Sequence, residues 1–193
     1  MNAAPQQWPP VEAEPPERHP DAPEPGTELG THYARCFGCG DEQEHGLHLK
    51  STAGEGQTVL ARFVVTEAHQ GAPGLAHGGL LACAFDEAIG AAVGHLLRRP
   101  AVTGRLETDF VRPVPVGSTL HITSRLSGIH GRKVYTSANG RLDAPDGPIA
   151  VRARALFVIV EFQHFISHGR PADLAAVAAD PSLIRARRYD INP

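Results

Sequence analysis

From Gly78 to Leu97 the chain is apolar almost all the way round a helix, and this segment constrains everything else. Its middle is built from small residues: Ala82, Cys83, Ala84, Ala88, Gly90, Ala91, Ala92 and Gly94. A helix that is apolar on every side must be buried, and small side chains let a neighbouring backbone approach it closely. Arg98-Arg99-Pro100 ends it, since arginines suit the negative end of the helix dipole and proline cannot continue the helix. The entrance reads His77-Gly78-Gly79. The first N–H groups of a helix have no intrahelical partner and carry partial positive charge. Bared by two glycines, they can hold an anion or a carbonyl oxygen that becomes negative during a reaction. Further along, the acid pair Asp86-Glu87 interrupts the apolar run.

The remainder supplies strands to cover that helix. Gly46 to Leu49 reads as a short extended piece, and Thr58 to Val65 as a strand rich in β-branched residues. Ala68 to Ala76 is a loop leading to His77. Beyond the helix the period changes to two. Thr103 to Val111 sets Leu106, Thr108 and Phe110 against Glu107, Asp109 and Val111, before the break Arg112 to Gly117. Thr119 to Leu126 sets Leu120, Ile122, Ser124 and Leu126 against polar neighbours; Gly128 to Gly131 reads as a turn and Lys133 to Leu142 as the return strand. After a turn at Asp143 to Gly147, Ile149 to Glu161 alternates Val151, Ala153, Ala155 and Phe157 with Arg152 and Arg154. Such antiparallel strands bury one face. The expectation is an α+β domain over residues 31–162, a curved antiparallel sheet wrapped around the long helix. Residues 1–30, with eight prolines interleaved with acids, read as a disordered leader, and residues 163–193 as a partly helical tail, Ala172 to Ala179 being its helix.

Composition narrows the function. A net charge of −3 offers no basic field, so a nucleic-acid partner is not expected. The longest apolar stretch, Leu75 to Leu97, is interrupted by His77, Asp86, Glu87 and His95, which argues against a membrane role. The N-terminus has no apolar signal region, and three cysteines imply no disulfide framework, so a cytoplasmic location is expected.

The pattern resembles the hotdog-fold thioesterases, in particular the phenylacetate-pathway-like acyl-CoA thioesterases, from about Cys36 to Glu161. The resemblance is carried by His77-Gly78-Gly79 followed by Asp86, by Val102-Thr103, by Phe110-x-Arg112-Pro113-Val114-Pro115, by Gly131-Arg132-Lys133, and by Cys36-Phe37-Gly38-Cys39-Gly40 with Gly46-Leu47. It implies hydrolysis of an acyl-CoA thioester without a cofactor or metal. In that reading the backbone N–H of Gly79, with Gly78 beside it, stabilises the oxyanion, and Asp86 acts as general base or as nucleophile. His77 orients the loop, touches the carbonyl or caps the helix, and Thr103 either helps to place water or is simply a strand residue. Arg112, Arg132 and Lys133 are candidates for the CoA phosphates, and Val102 with Leu106 for the pantetheine arm.

Helix geometry adds a condition. Gly79 and Asp86 share a face but lie about 10 Å apart along the axis, too far to reach one carbonyl. Two antiparallel helices from two subunits solve this, which fits the homodimers of the resembled family, with a tetramer also open. Glu87 lies about 100° further round the helix and is the competing acid. Cys36 and Cys39 followed by His45 and His48 have zinc-ligand types, but the gap is shorter than in ordinary fingers, and buried small cysteines are the preferred reading. Cys83 is read as a helix core residue. A hydratase or dehydratase using His77, and a non-catalytic acyl-CoA-binding protein, are the rival functions.

Overall fold

The computed structural model describes residues 7–180 of the chain. In chain order they form strands β1 (Glu28–Leu29), β2 (Lys50–Ala53) and β3 (Thr58–Val64), and a small hairpin of β4 (Gln70–Ala72) and β5 (Leu75–Ala76). The central helix α1 (Gly78–Leu96) follows, then strands β6 (Ala101–Phe110), β7 (Thr119–His130), β8 (Lys133–Leu142) and β9 (Ile149–Ile159). Two short helices, α2 (Phe162–His168) and α3 (Pro171–Ala179), end the described region and bury no residue. Seven strands make one antiparallel sheet in the order β1-β2-β3-β7-β8-β9-β6.

The sheet wraps α1, as an all-round apolar helix requires. Leu81, Ala84, Phe85, Ala88, Ile89, Ala92, Val93 and Leu96 form its fully buried stripe, at spacings of three and four. They pack against inward residues of the strands, among them Val59, Phe63, Leu120, Ile122, Val134 and Val151. Close approach is achieved at Gly140, where a Cβ would come to 2.6 Å of Phe85 Cζ and would also strike Leu120. Ser124 is wholly buried on β7, and its hydroxyl donates to the helix carbonyl of Ala88 at 2.9 Å. A polar group is thereby satisfied at the sheet–helix contact rather than stranded in the core.

Several local expectations need correction. The extended piece at Gly46 to Leu49 is not a strand; His48 takes a left-handed φ of 48° and pairing begins at Lys50. The turn expected at Gly128 to Gly131 is only its last residues: β7 runs to His130, with a register shift between Leu126 and Gly128, and Gly131 turns with φ 57°. The strands after α1 are not a simple meander, because β6 crosses to the far edge beside β9 while β7 pairs with β3. Being an edge strand with a register shift at Gly104, β6 lacks the expected alternation, and Phe110 is 53% exposed.

The leader departs most from expectation. Its described part lies along the sheet. Trp8 Nε1 donates to Thr136 O at 2.9 Å, and its ring meets Tyr135 edge-on at 5.4 Å, with the Arg154 guanidinium 5.8 Å above it. Glu14 bridges Ile129, Arg18 donates to the carbonyls of Gly54 and Gly56, and His19 N–H reaches Leu96 O. Residues 1–6 and the end of the expected tail, 181–193, lie outside the described residues.

Candidate active site

At the helix entrance, His77 is the N-cap, extended at φ −71° and ψ 128°, and its Nδ1 accepts from the Gly79 N–H at 3.0 Å. Its own N–H donates to His69 O at 2.7 Å, and the backbone of Gly71 lies so close that a Cβ there would be 2.6 Å from His77 Cα. Of the three roles open to His77, capping is the one with a bond in this structure. The Gly79 amide, expected to be bare, is thus held by the preceding imidazole. Gly78 N–H makes no hydrogen bond among the described residues. The Phe110 ring covers Gly78: a Cβ there would approach Phe110 Cζ to 3.3 Å.

Two turns on, Asp86 is half-buried and its Oδ1 accepts from the Thr103 hydroxyl at 2.8 Å. The structure therefore brings together two of the residues singled out from sequence, one from α1 and one from β6. Burial pushes the Asp86 carboxyl above the usual carboxylate range; the Thr103 hydrogen bond opposes this, while nearby Glu87 and Cys36 reinforce it. Asp86 and Thr103 open onto a cavity of about 380 Å³ whose walls include Val102, Gly90, Ala91, Gly94 and Phe157. The small residues of α1 leave this space: a Cβ on Gly90 would make only ordinary contact with Phe157, at 3.6 Å. His77, Gly78 and Gly79 do not line it. Within one chain, the polarising entrance and the acid are separate.

The three cationic candidates are also divided. Lys133 pairs with Val158 and Val158 with Val102, so Lys133 lies on the same rung as Val102, two strands or about 10 Å away. Arg132 is its exposed neighbour in the β7–β8 turn. Arg112 sits at the opposite end of the sheet, donating from its side chain to Ile149 O at 2.6 Å and from its backbone to Ala150 O. Arg112 and Lys133 of one chain therefore do not converge on one ligand.

Glu87 turns away from Asp86 towards the N-terminal loop. One carboxylate oxygen lies 3.4 Å from Cys36 Sγ and the other 3.5 Å from His32 Nδ1, while Cys39 Sγ lies 3.2 Å from that same nitrogen. His45 and His48, the histidines paired with the cysteines by spacing, instead line a separate groove on the outer side of β3. His32 and Glu87 were missed as partners of the cysteines. His32 was legible as His-x3-Cys-x2-Cys, but Glu87 is 51 residues from Cys36 and only the fold makes them neighbours. Cys83 is half-buried and packs at the margin of the core.

Comparison with known proteins agrees with this architecture. A family model described as thioesterase superfamily matches residues 73–145, the segment from just before the helix entrance through all of β8 and into the turn after it. Bovine acyl-coenzyme A thioesterase THEM4 is 42% identical over 72 residues, covering 37% of this chain and 29% of that protein. The Xenopus laevis THEM4 is 36% identical over 89 residues, covering 46% and 39%. The chain thus spans well under half the length of these curated relatives. Among solved structures, a thioesterase superfamily protein superposes with a TM-score of 0.57 at 28% identity, over 65% of this chain and 60% of that one. The E. coli PaaI protein superposes with a TM-score of 0.54 at 18% identity, over 59% and 80%, which is a likeness of fold. Residues 73–145 thus match the thioesterase superfamily model, and the curved sheet around α1 that carries them has the hotdog fold of these structures.

Proposed function

We propose that this protein hydrolyses an acyl-CoA thioester to the free acid and CoA, with each site shared between two copies of the chain. The observation that carries the reading is the half-buried Asp86 carboxylate, held by Thr103 at the mouth of a cavity walled by small and apolar residues. Such a cavity suits an acyl chain, and the matched relatives are named for acyl-CoA thioesterase activity. Asp86 removes a proton from water, whose oxygen attacks the thioester carbon; the oxyanion collapses, the C–S bond breaks and the thiolate leaves with a proton. In the other form of the same proposal the Asp86 carboxylate itself attacks, the C–S bond breaks with the thiolate leaving and taking up a proton, and water then cleaves the anhydride to the free acid and the Asp86 carboxylate.

The strand β6 supports sharing. Asp86 is bonded to its beginning at Thr103, whereas the Gly78 entrance lies beneath its end at Phe110. β6 has only β9 beside it among the described residues, so its other edge is open to a second β6. Antiparallel pairing of two such edges exchanges their ends. It would bring the Gly78-Gly79 amides of one copy towards Asp86 of the other, and Arg112 of one towards Lys133 and Val102 of the other. His77 must then yield the Gly79 N–H to the substrate carbonyl, or Gly78 must donate in its place.

Thiol release from short, medium, long and aromatic acyl-CoAs tests the reading. Asp86→Asn should lower kcat by about 10²–10⁴-fold, the range for loss of a positioned base. Thr103→Val should cost roughly tenfold, the value of one hydrogen bond to a charged group. No thiol release from any ester by the wild type would leave acyl-CoA binding without catalysis, and hydration of crotonyl-CoA without thiol release would make the protein a hydratase.

A further inference from the structure

The cluster between the loop before β2 and α1 is unused by thioester hydrolysis, and its donors have metal-ligand chemistry. The Nδ1 of His32, Sγ of Cys36, Sγ of Cys39 and a Glu87 carboxylate oxygen all lie within 4.8 Å of one another. With Zn–S near 2.3 Å and Zn–N or Zn–O near 2.0–2.1 Å, the edges of a zinc tetrahedron are about 3.3–3.8 Å long. Cys39 Sγ and His32 Nδ1, 3.2 Å apart, lie just below that range, and Glu87 reaches Cys36 Sγ with one oxygen at 3.4 Å and His32 Nδ1 with the other at 3.5 Å, both within it. We propose that His32, Cys36, Cys39 and Glu87 bind one zinc ion, which clasps the loop before β2 onto the middle of α1.

The loop is shaped for this. Cys36 N–H donates to Tyr33 O and Gly40 N–H to Cys36 O at 2.8 Å, folding the two cysteines into one tight turn. Leu47 and Leu49 tie that turn back through the carbonyls of Phe37 and Gly38. Gly38 has no room for a side chain, since a Cβ would strike the Glu87 carboxylate, and a Cβ on Gly40 would come to 2.5 Å of Cys36 N. Backbone thus presses directly on the proposed ligands. Four protein donors give a closed, structural site rather than a catalytic one with an open position. Two soft thiolates and an imidazole, with a carboxylate as the single oxygen donor, suit zinc over magnesium or calcium. Zinc binding generally displaces the protons that such ligands carry. Because the same residues wall the Asp86 cavity, the ion would fix Glu87 on the loop side and leave Asp86 as the free acid.

The test uses the reduced full-length chain and zinc alone. Titration against a chromophoric chelator, with elemental analysis of the product, should give one zinc per chain. Alkylation should modify three cysteines in the metal-free protein and Cys83 alone in the loaded one. Glu87→Gln, which preserves shape, should weaken zinc binding by at least about tenfold, as should His32→Ala. His45→Ala with His48→Ala should leave it unchanged. No zinc binding by the reduced wild type would overturn the proposal, as would a Cys36–Cys39 disulfide in protein isolated anaerobically. So would a site lost with His45 and His48 but retained without His32. None of these outcomes depends on thioester hydrolysis, so the two proposals stand or fall separately.

Discussion

His77 shows how one residue can serve stability and stand next to chemistry. Its imidazole is the only side chain bonded to the first turn of α1 in the described structure, through Gly79 N–H. His77→Ala should therefore lower stability by about 0.5–2 kcal/mol, the usual cost of losing an N-cap, measured as a shift of the urea midpoint. His77→Asn, which can also cap, should recover most of that loss. If capping is the whole of its role, thiol release should be as fast in the Asn variant as in the wild type. A rate that stays low despite recovered stability would give His77 a part in the reaction. The motif was legible as a helix mouth because glycine pairs and capping follow local rules. That the cap is His77 itself was one of three roles left open, since sequence does not set the direction of a ring. The cysteines teach the complementary lesson: ligand types were legible at Cys36 and Cys39, but spacing selected His45 and His48 where the fold selects His32 and Glu87.

At the level of elements, strands that bury one face were plain in the sequence, and those that do not were not. β7 alternates from Thr119 to Gly128 and β9 from Val151 onward, and both were read with their inward residues correct. β6 lies at an edge, so neither its pattern nor its place beside β9 could be inferred from period alone. The leader misled for a different reason. Proline-rich acidic sequence rarely buries enough surface to order itself, but here it uses a face the sheet already provides. Trp8 supplies the anchor, and Gly128 makes room: a Cβ there would lie 2.8 Å from Ala13 Cβ and 2.9 Å from Pro9 Cγ. Gly128→Val should therefore lift the leader while leaving the α1 core intact, and Trp8→Ala should do the same from the other side. Both should speed tryptic cleavage after Arg18 several-fold, with a loss of roughly 1–3 kcal/mol in stability. Unchanged cleavage in both variants would mean that the leader is held by its backbone bonds at Glu14 and His19 rather than by the Trp8 anchor.

At the scale of the whole molecule, a single chain keeps the Gly78-Gly79 entrance and Asp86 apart. The sequence already pointed to this, because Gly79 and Asp86 are seven residues apart on one helix. The structure adds that the acid and the glycines sit at opposite ends of an edge strand. A shared site makes a quantitative demand on mixtures. Asp86→Asn removes the acid from one half-site, and Gly79→Val covers the amide of the other; each variant alone should be nearly inactive. When the two are unfolded, mixed in equal amounts and refolded together, half of the random dimers contain one chain of each kind. In such a heterodimer one site receives both lesions and the other receives none. The mixture should regain about a quarter of wild-type thiol release per chain. A site built within one chain predicts no recovery at all, because every site would then carry one lesion. Dilution supplies the independent check: specific activity should fall together with the dimer fraction measured by sedimentation, and constant activity in fully monomeric protein would exclude sharing.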